Sequence, residues 1–220
     1  MIRFEDIKNS KEIKTYINKA DESLKSLGYT EHSFAHVTKV ALTANEILTK
    51  LGRYDERTVE LSSIAGYMHD IGNVVNRIDH AQSGAIMAFR ILDKMGMDVE
   101  EIAKVISAIG NHDESTAVPV NEVAAALILA DKSDVRRSRV RNTDFATFDI
   151  HDRVNYSVKF SCLSLDTQKN EITLNLSIDT KICAVMDYFE IFLGRMLLCR
   201  RAAEFLNLRF KLMINNVELL

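Results

Sequence analysis

The sequence predicts a mostly α fold: a helical body over residues 1–145, then a small α+β appendage over residues 146–220 made of an antiparallel β-sheet and a long helix. Three features of the chain point there. Apolar residues recur at helical spacing through the first two thirds. A single proline in 220 residues favours long, uninterrupted helices. Beyond about residue 150 the apolar period falls to two, the spacing of a strand with one wet face.

Residues 10–27 predict the first helix, closed by Gly28. Residues 33–51 predict the second: Val37, Val40, Ala41, Ala44, Ile47, Leu48 and Leu51 form its apolar stripe and Gly52 ends it. A third covers 55–70, with Leu61, Ile64, Ala65 and Met68 inward and Gly72 after it. A fourth begins near His80 and stops before Gly96; a fifth covers 99–109 on Ile102, Val105, Ile106 and Ile109. A sixth starts after Pro119, carries Val123, Leu127 and Ala130, and is expected to continue into the arginine-rich stretch.

Alternation then takes over. Val154, Tyr156, Val158, Phe160 and Cys162 predict one strand, Ile172, Leu174, Leu176 and Ile178 a second, and polar residues 166–170 the turn of an antiparallel hairpin. A helix over 181–206 and a third strand on Phe210, Leu212 and Ile214 complete the appendage.

Composition narrows the function. Hydrophobic residues make up 47% and charged residues 27%, a globular mixture. A net charge of −3 gives no reason to expect a nucleic acid or an anionic membrane as partner. No apolar run reaches membrane-spanning length, and the charged N-terminal stretch reads as no secretory signal, so a cytoplasmic setting is expected. Cys162, Cys183 and Cys199 form no CxxC pair and read as small hydrophobes rather than as disulfides or thiolate ligands.

The histidines carry the chemistry. His36, four residues before Val40, lies on the inward face of its helix. His69 follows Ala65 by four, His80 precedes Gly84 by four, and His112 comes just after the stripe ending at Ile109. Asp131 follows Leu127 by four and points the same way. A buried polar group needs a partner, and one divalent metal site partners several at once. Imidazole and carboxylate together suit Fe, Mn, Co, Ni or Zn. Neighbours on a helix diverge by about 100°, but Gly72 lets the chain turn so that both His69 and Asp70 reach one centre.

The ordered segments HSFAHV, MHDIGN, DHAQSGA, GNHDE and LADKSD resemble the HD superfamily of metal-dependent phosphohydrolases, over about residues 33–141. The resemblance implies an HD-domain helical bundle and a site on His36, His69, Asp70 and Asp131. His80 and His112 occupy the places of two extra histidines in a six-ligand subgroup, which implies a dinuclear site with about two divalent transition metals per chain and Asp70 as the bridge. Asp70 and Asp131 are then catalytic. The implied activity is hydrolysis of a phosphate ester or anhydride of a nucleotide-like metabolite by metal-activated hydroxide.

On the substrate side, Arg77, Asp134, Arg137 and Arg141 are the candidates. Arg137 and Arg141 are four apart and share a predicted face with Asp134, which would orient a ligand histidine or pair with an arginine. Lys132, Arg136 and Arg139 belong to the same basic run, usually a solvated face. His32 is expected in solvent or beside the ligands, and Asp113 and Glu114 as nearby acids or caps. His151-Asp152, beside Arg153, lacks the partner pattern and reads as a turn. Asn73 stands where many HD proteins carry lysine, so that positive charge is either missing or supplied by Arg77. HDESTAVP after His112 lacks the Gly-Tyr-Pro signature of cyclic-dinucleotide phosphodiesterases and disfavours that activity. Two rivals share the ligand frame: a di-iron oxygenase, and a catalytically silent nucleotide-sensing module. The appendage offers a surface for a homodimer, although its apolar residues also suffice for its own core.

Overall fold

The structure, a computed structural model, describes residues 1–219. Helices α1 (Phe4–Asn9), α2 (Lys11–Ser26), α3 (Phe34–Leu51), α4 (Glu56–Met68), α5 (His80–Met95), α6 (Val99–Gly110) and α7 (Glu122–Lys132) build the body. Their starts are set by side-chain caps: Ser10, Ser33, Asp55, Asp98 and Asn121 each accept an amide hydrogen bond from the first turn. Gly52 and Gly96 stop α3 and α5 at φ of 66° and 81°, a conformation that glycine adopts without strain.

Helix α7 is apolar all round, and Val123–Ala130 are all buried. It is therefore the axis of the body, wrapped by α3, α4 and α6. The helix ends at Lys132 and does not continue into the arginines. The Ser133 hydroxyl donates back to the Ala130 carbonyl, and Arg139 folds over to donate to the Asp134 carbonyl. Asp134, Arg137 and Arg141 therefore do not share a helix face.

The second correction concerns residues 150–157. They form α8 (Ile150–Ser157), capped by Asp149, whose carboxylate accepts from the Asp152 amide at 2.7 Å. Val154 and Val158 also satisfy i, i+4 spacing, so the alternation there was ambiguous between periods. Strand β1 begins at Val158 and runs to Asp166, pairing antiparallel with β2 (Glu171–Ile178). Helix α9 (Val185–Phe205) then crosses over, so β3 (Arg209–Ile214) joins β2 in parallel. A tight turn with Asn215 and Asn216 both at positive φ leads to β4 (Val217–Glu218). The sheet, in order β1-β2-β3-β4, is thus mixed rather than wholly antiparallel.

Ile172, Leu174, Leu176 and Ile178 of β2 and Phe210, Leu212 and Ile214 of β3 are buried, and α9 packs on both β3 and α7. The sheet therefore holds one end of a helix that also packs on α8 and on the body. Among the described residues, no helix is long and apolar enough to cross a membrane.

The cysteines are free; Cys183 and Cys199 are buried and Cys162 is partly exposed. Burial pushes the thiols of Cys183 and Cys199 up to about 11 and about 12. A native-state titration with a thiol-specific disulfide reagent is expected to label Cys162 alone, with the other two reacting only after unfolding. Rapid labelling of all three would contradict this packing.

Candidate metal centre

Helix α4 ends where the site begins. Met68 is its last residue, and His69 and Asp70 lead into a 3-10 turn at Ile71–Val74. Gly72 is obligatory there: a Cβ would sit 2.0 Å from the His80 carbonyl oxygen and 2.4 Å from the Gly84 amide. The turn thus presses against the start of α5, which brings His80 to the pair. His36 comes from the first turn of α3, Asp131 from the last turn of α7, and His112 from just beyond α6.

The four histidines share one device. His69, His80 and His112 each place Nδ1 against a backbone carbonyl, of Gly66 (2.8 Å), Arg77 (3.1 Å) and Ile109 (2.6 Å). A carbonyl only accepts, so Nδ1 carries the proton and the Nε2 lone pair faces inward. His36 does the same against a carboxylate: its Nδ1 donates to Asp134 Oδ2 at 2.8 Å.

The Nε2 atoms converge on Asp70 from two sides. Oδ2 of Asp70 lies 3.6 Å from His36 Nε2 and 3.2 Å from His69 Nε2. Oδ1 lies 3.6 Å from His80 Nε2 and 4.0 Å from His112 Nε2. Asp131 Oδ1 joins the first group, 3.3 Å from His36 Nε2 and 3.7 Å from His69 Nε2. Each carboxylate oxygen of Asp70 therefore serves its own histidine pair. Three overlapping groups, His36/His69/Asp70, His69/His112/Asp131 and Asp70/His80/His112, have ligand atoms within 4.8 Å of one another.

A metal fits these residues. His36 Nε2 and His69 Nε2 are buried without a hydrogen-bond partner, an arrangement that costs about 1–3 kcal/mol per atom when left unpaired. His80 Nε2 and His112 Nε2 face each other at 3.2 Å, two lone pairs with the Arg77 guanidinium 3.4 Å from the first.

Charge is arranged accordingly. Burial alone would raise the Asp70 carboxyl, but His69 beside it, with His32 and His80, holds it well below the usual carboxylate range. Asp131 is likewise lowered against burial, chiefly by Lys132, whose Nζ lies 2.6 Å from Oδ2. Burial keeps His80 and His112 neutral, His112 down to about 3. Asn73 donates to Asp70 Oδ1 at 2.9 Å and accepts from Arg77 Nη1 at 3.2 Å, so the asparagine links Arg77 to the central carboxylate.

Residues 33–190 match the HD domain, well over half of the chain. The chain belongs to the HD-domain family. That family places it in the superfamily of metal-dependent phosphohydrolases, whose members bind divalent metals through the His/Asp set. The chain is also 28% identical over 163 residues to an uncharacterized protein of Methanocaldococcus jannaschii, covering 64% of this chain and 62% of that one. The chain thus spans less than two thirds of that relative. The HD match reaches past α7 and α8 into α9.

All six residues expected as ligands meet in this HD site. The substrate-side candidates divide. Arg77 lines the pocket over the metal centre, along with His32. Asp134 does not: it is sealed beneath His36 with Lys39 and Arg136 on its other oxygen, so it orients a ligand and does not meet substrate. Arg137 turns away to stack on Tyr156 and donate to its carbonyl, and Arg141 pairs with Asp21. Besides Arg77, the arginines that line the pocket are Arg139, from the same run, and Arg195, on α9. Arg195 carried no local signal, because a helix 64 residues beyond Asp131 reaches the site only through tertiary packing. His151 and Asp152, read as a turn, lie on α8 at the pocket wall.

Asp134→Asn keeps the shape but weakens the carboxylate–imidazole pair. Metal affinity is expected to fall about 10–100-fold with little loss of helix content, measured by competition with a fluorescent chelator. Unchanged affinity would remove Asp134 from the account.

Proposed function

We propose that this chain is a metal-dependent phosphohydrolase that cleaves a phosphate ester or anhydride of a nucleotide-like metabolite, with about two divalent transition metals on His36, His69, Asp70, His80, His112 and Asp131. What supports it most is the split of Asp70, one oxygen toward each histidine pair. The site forms the floor of a pocket of about 630 Å³, within the size range of small-molecule sites. Metals bound there supply Lewis acidity and lower the pKa of water toward neutrality.

The chain's own residues do the rest. Asp70 and Asp131 stay ionised, and Lys132 holds Asp131 Oδ2 so that Oδ1 turns to the histidines. Arg77, held by Asn73, presents its guanidinium beside His80 for a phosphoryl oxygen. Ile191 and Phe192 of α9, and Tyr29 beneath the Arg77 guanidinium, give the pocket an apolar lining suited to a base. The two units, residues 1–145 and 146–220, thus share one pocket, and the partner is a small phosphorylated molecule rather than nucleic acid or membrane.

The test is a phosphate-release screen of metal-loaded protein over nucleotides and simple phosphomonoesters. Release that requires metal and is lost in His80→Ala supports the proposal. Metal bound without release from any compound, together with dioxygen uptake or ligand-induced stabilisation, would favour the oxygenase or the sensor.

A further inference from the structure

We infer that Arg195 of α9 and Arg139 form an anion subsite beside the metal centre, which takes a second anionic group of the substrate, one bond system away from the phosphoryl group at the metals. This rests on the phosphohydrolase reading for what the metal end binds. Arg139, from the turn after α7, and Arg195, from α9, line the pocket together. Arg139 is fixed by two backbone carbonyls: Nε donates to Glu31 O at 2.9 Å and Nη1 to Asp134 O at 2.8 Å. Arg195 lies 4.0 Å over the Phe192 ring and donates through Nε to Glu114 Oε1 at 2.7 Å. Among the described residues, Arg139 Nη2 and both terminal nitrogens of Arg195 make no hydrogen bond to protein. Each guanidinium keeps one carboxylate neighbour, Glu114 for Arg195 and Asp134 at 3.8 Å for Arg139, and the free edge of Arg195 is the fork that binds an oxyanion in bidentate fashion.

Contacts set the spacing from the metals. Arg195 meets Glu114, Glu114 Oε1 lies 3.9 Å from Lys132 Nζ, and Lys132 holds the ligand Asp131 at 2.6 Å. Contacts of 2.7, 3.9 and 2.6 Å therefore link the guanidinium to the Asp131 carboxylate through two side chains, which puts it beside the metal centre in reach of a neighbouring group of the substrate. The C-terminal helix thereby selects substrates with two anionic groups over monoanionic-headed ones.

The probes are inorganic phosphate and inorganic pyrophosphate, titrated calorimetrically into metal-loaded protein. Pyrophosphate is expected to bind the unmodified protein at least about tenfold more tightly than phosphate. Arg195→Ala should erase that preference and leave phosphate affinity and metal content unchanged, and Arg195→Lys should recover only part of it. Glu114→Gln separates binding from bracing: it removes the negative charge that Arg195 faces but should keep the pyrophosphate preference. Equal binding of the two anions, an unchanged preference in Arg195→Ala, or a loss in Glu114→Gln as large as in Arg195→Ala overturns the subsite while phosphate release stands. Arg195-dependent pyrophosphate binding in a protein that releases phosphate from nothing would instead keep the subsite and overturn the hydrolase.

Discussion

Asp70→Ala is expected to leave the protein without its metal pair and to lower kcat/KM by about 10³-fold or more, since Lewis-acid stabilisation of the transition state is worth several kcal/mol. The reason is geometric. Asp70 is the one residue whose two oxygens face different histidine pairs, Oδ2 toward His36 and His69 and Oδ1 toward His80 and His112. Its removal also takes away the negative charge that these four imidazoles face. Asp70→Asn should behave nearly as badly, because it keeps the shape and the Asn73 contact but loses the charge. His80→Ala, by contrast, should strip one half of the site and keep metal on His36, His69 and Asp131. Metal analysis and steady-state kinetics on the three variants separate these outcomes. An Asp70→Ala protein that still bound two metals would refute the bridging role.

Removing the metals is expected to have the largest effect on stability. Ligand present at about a thousandfold over its Kd stabilises the folded state by about 4 kcal/mol per site. For a chain of this size that corresponds to a Tm lower by roughly 8–16 °C for each site emptied by chelation, at about 2–4 °C per kcal/mol, read by scanning calorimetry with and without chelator. Stripped protein should also become sensitive to acid in a defined window. Buried His112, held down to about 3, stays neutral in the folded state while the unfolded chain takes up a proton below the ordinary value of 6.5. The unfolded state then binds more protons, so His112 removes stability as pH falls from 6.5 toward 3 and has no effect above that window. Urea midpoints of the stripped protein at several pH values, compared with those of His112→Gln, isolate this contribution. A variant with the same slope as the parent would show that His112 is not the cause.

The helical body was readable because its signals are local. Capping residues and terminal glycines lie next to the stripes they bound, and α3, α5 and α6 fall within a residue or so of their expected ends. The clustering of His36, His69, Asp70, His80, His112 and Asp131 was readable for a related reason: each lies at a helix end or on an apolar face, where a polar side chain is out of place unless something partners it. The short helix α1 was missed, since six residues with one buried isoleucine leave little periodic signal.

The substrate side was read poorly. Arg137, Arg141 and Asp134 were placed on one face by assuming that α7 continued. The chain instead turns at Ser133, and Asp134 sinks under His36. Arg195 and Phe192 reach the pocket only because α9 packs across α7, a contact with no counterpart in local spacing. The parallel pairing of β3 with β2 was hidden for the same reason: alternation marks a strand but not the direction of its neighbour.

Elemental analysis of the protein purified without added metal tests the metal centre most directly. About two transition-metal equivalents per chain, falling to about one in His80→Ala and in His112→Ala, is the expected result for a dinuclear site. No metal in the purified protein, and none after reconstitution with Fe, Mn, Co, Ni or Zn, would contradict it.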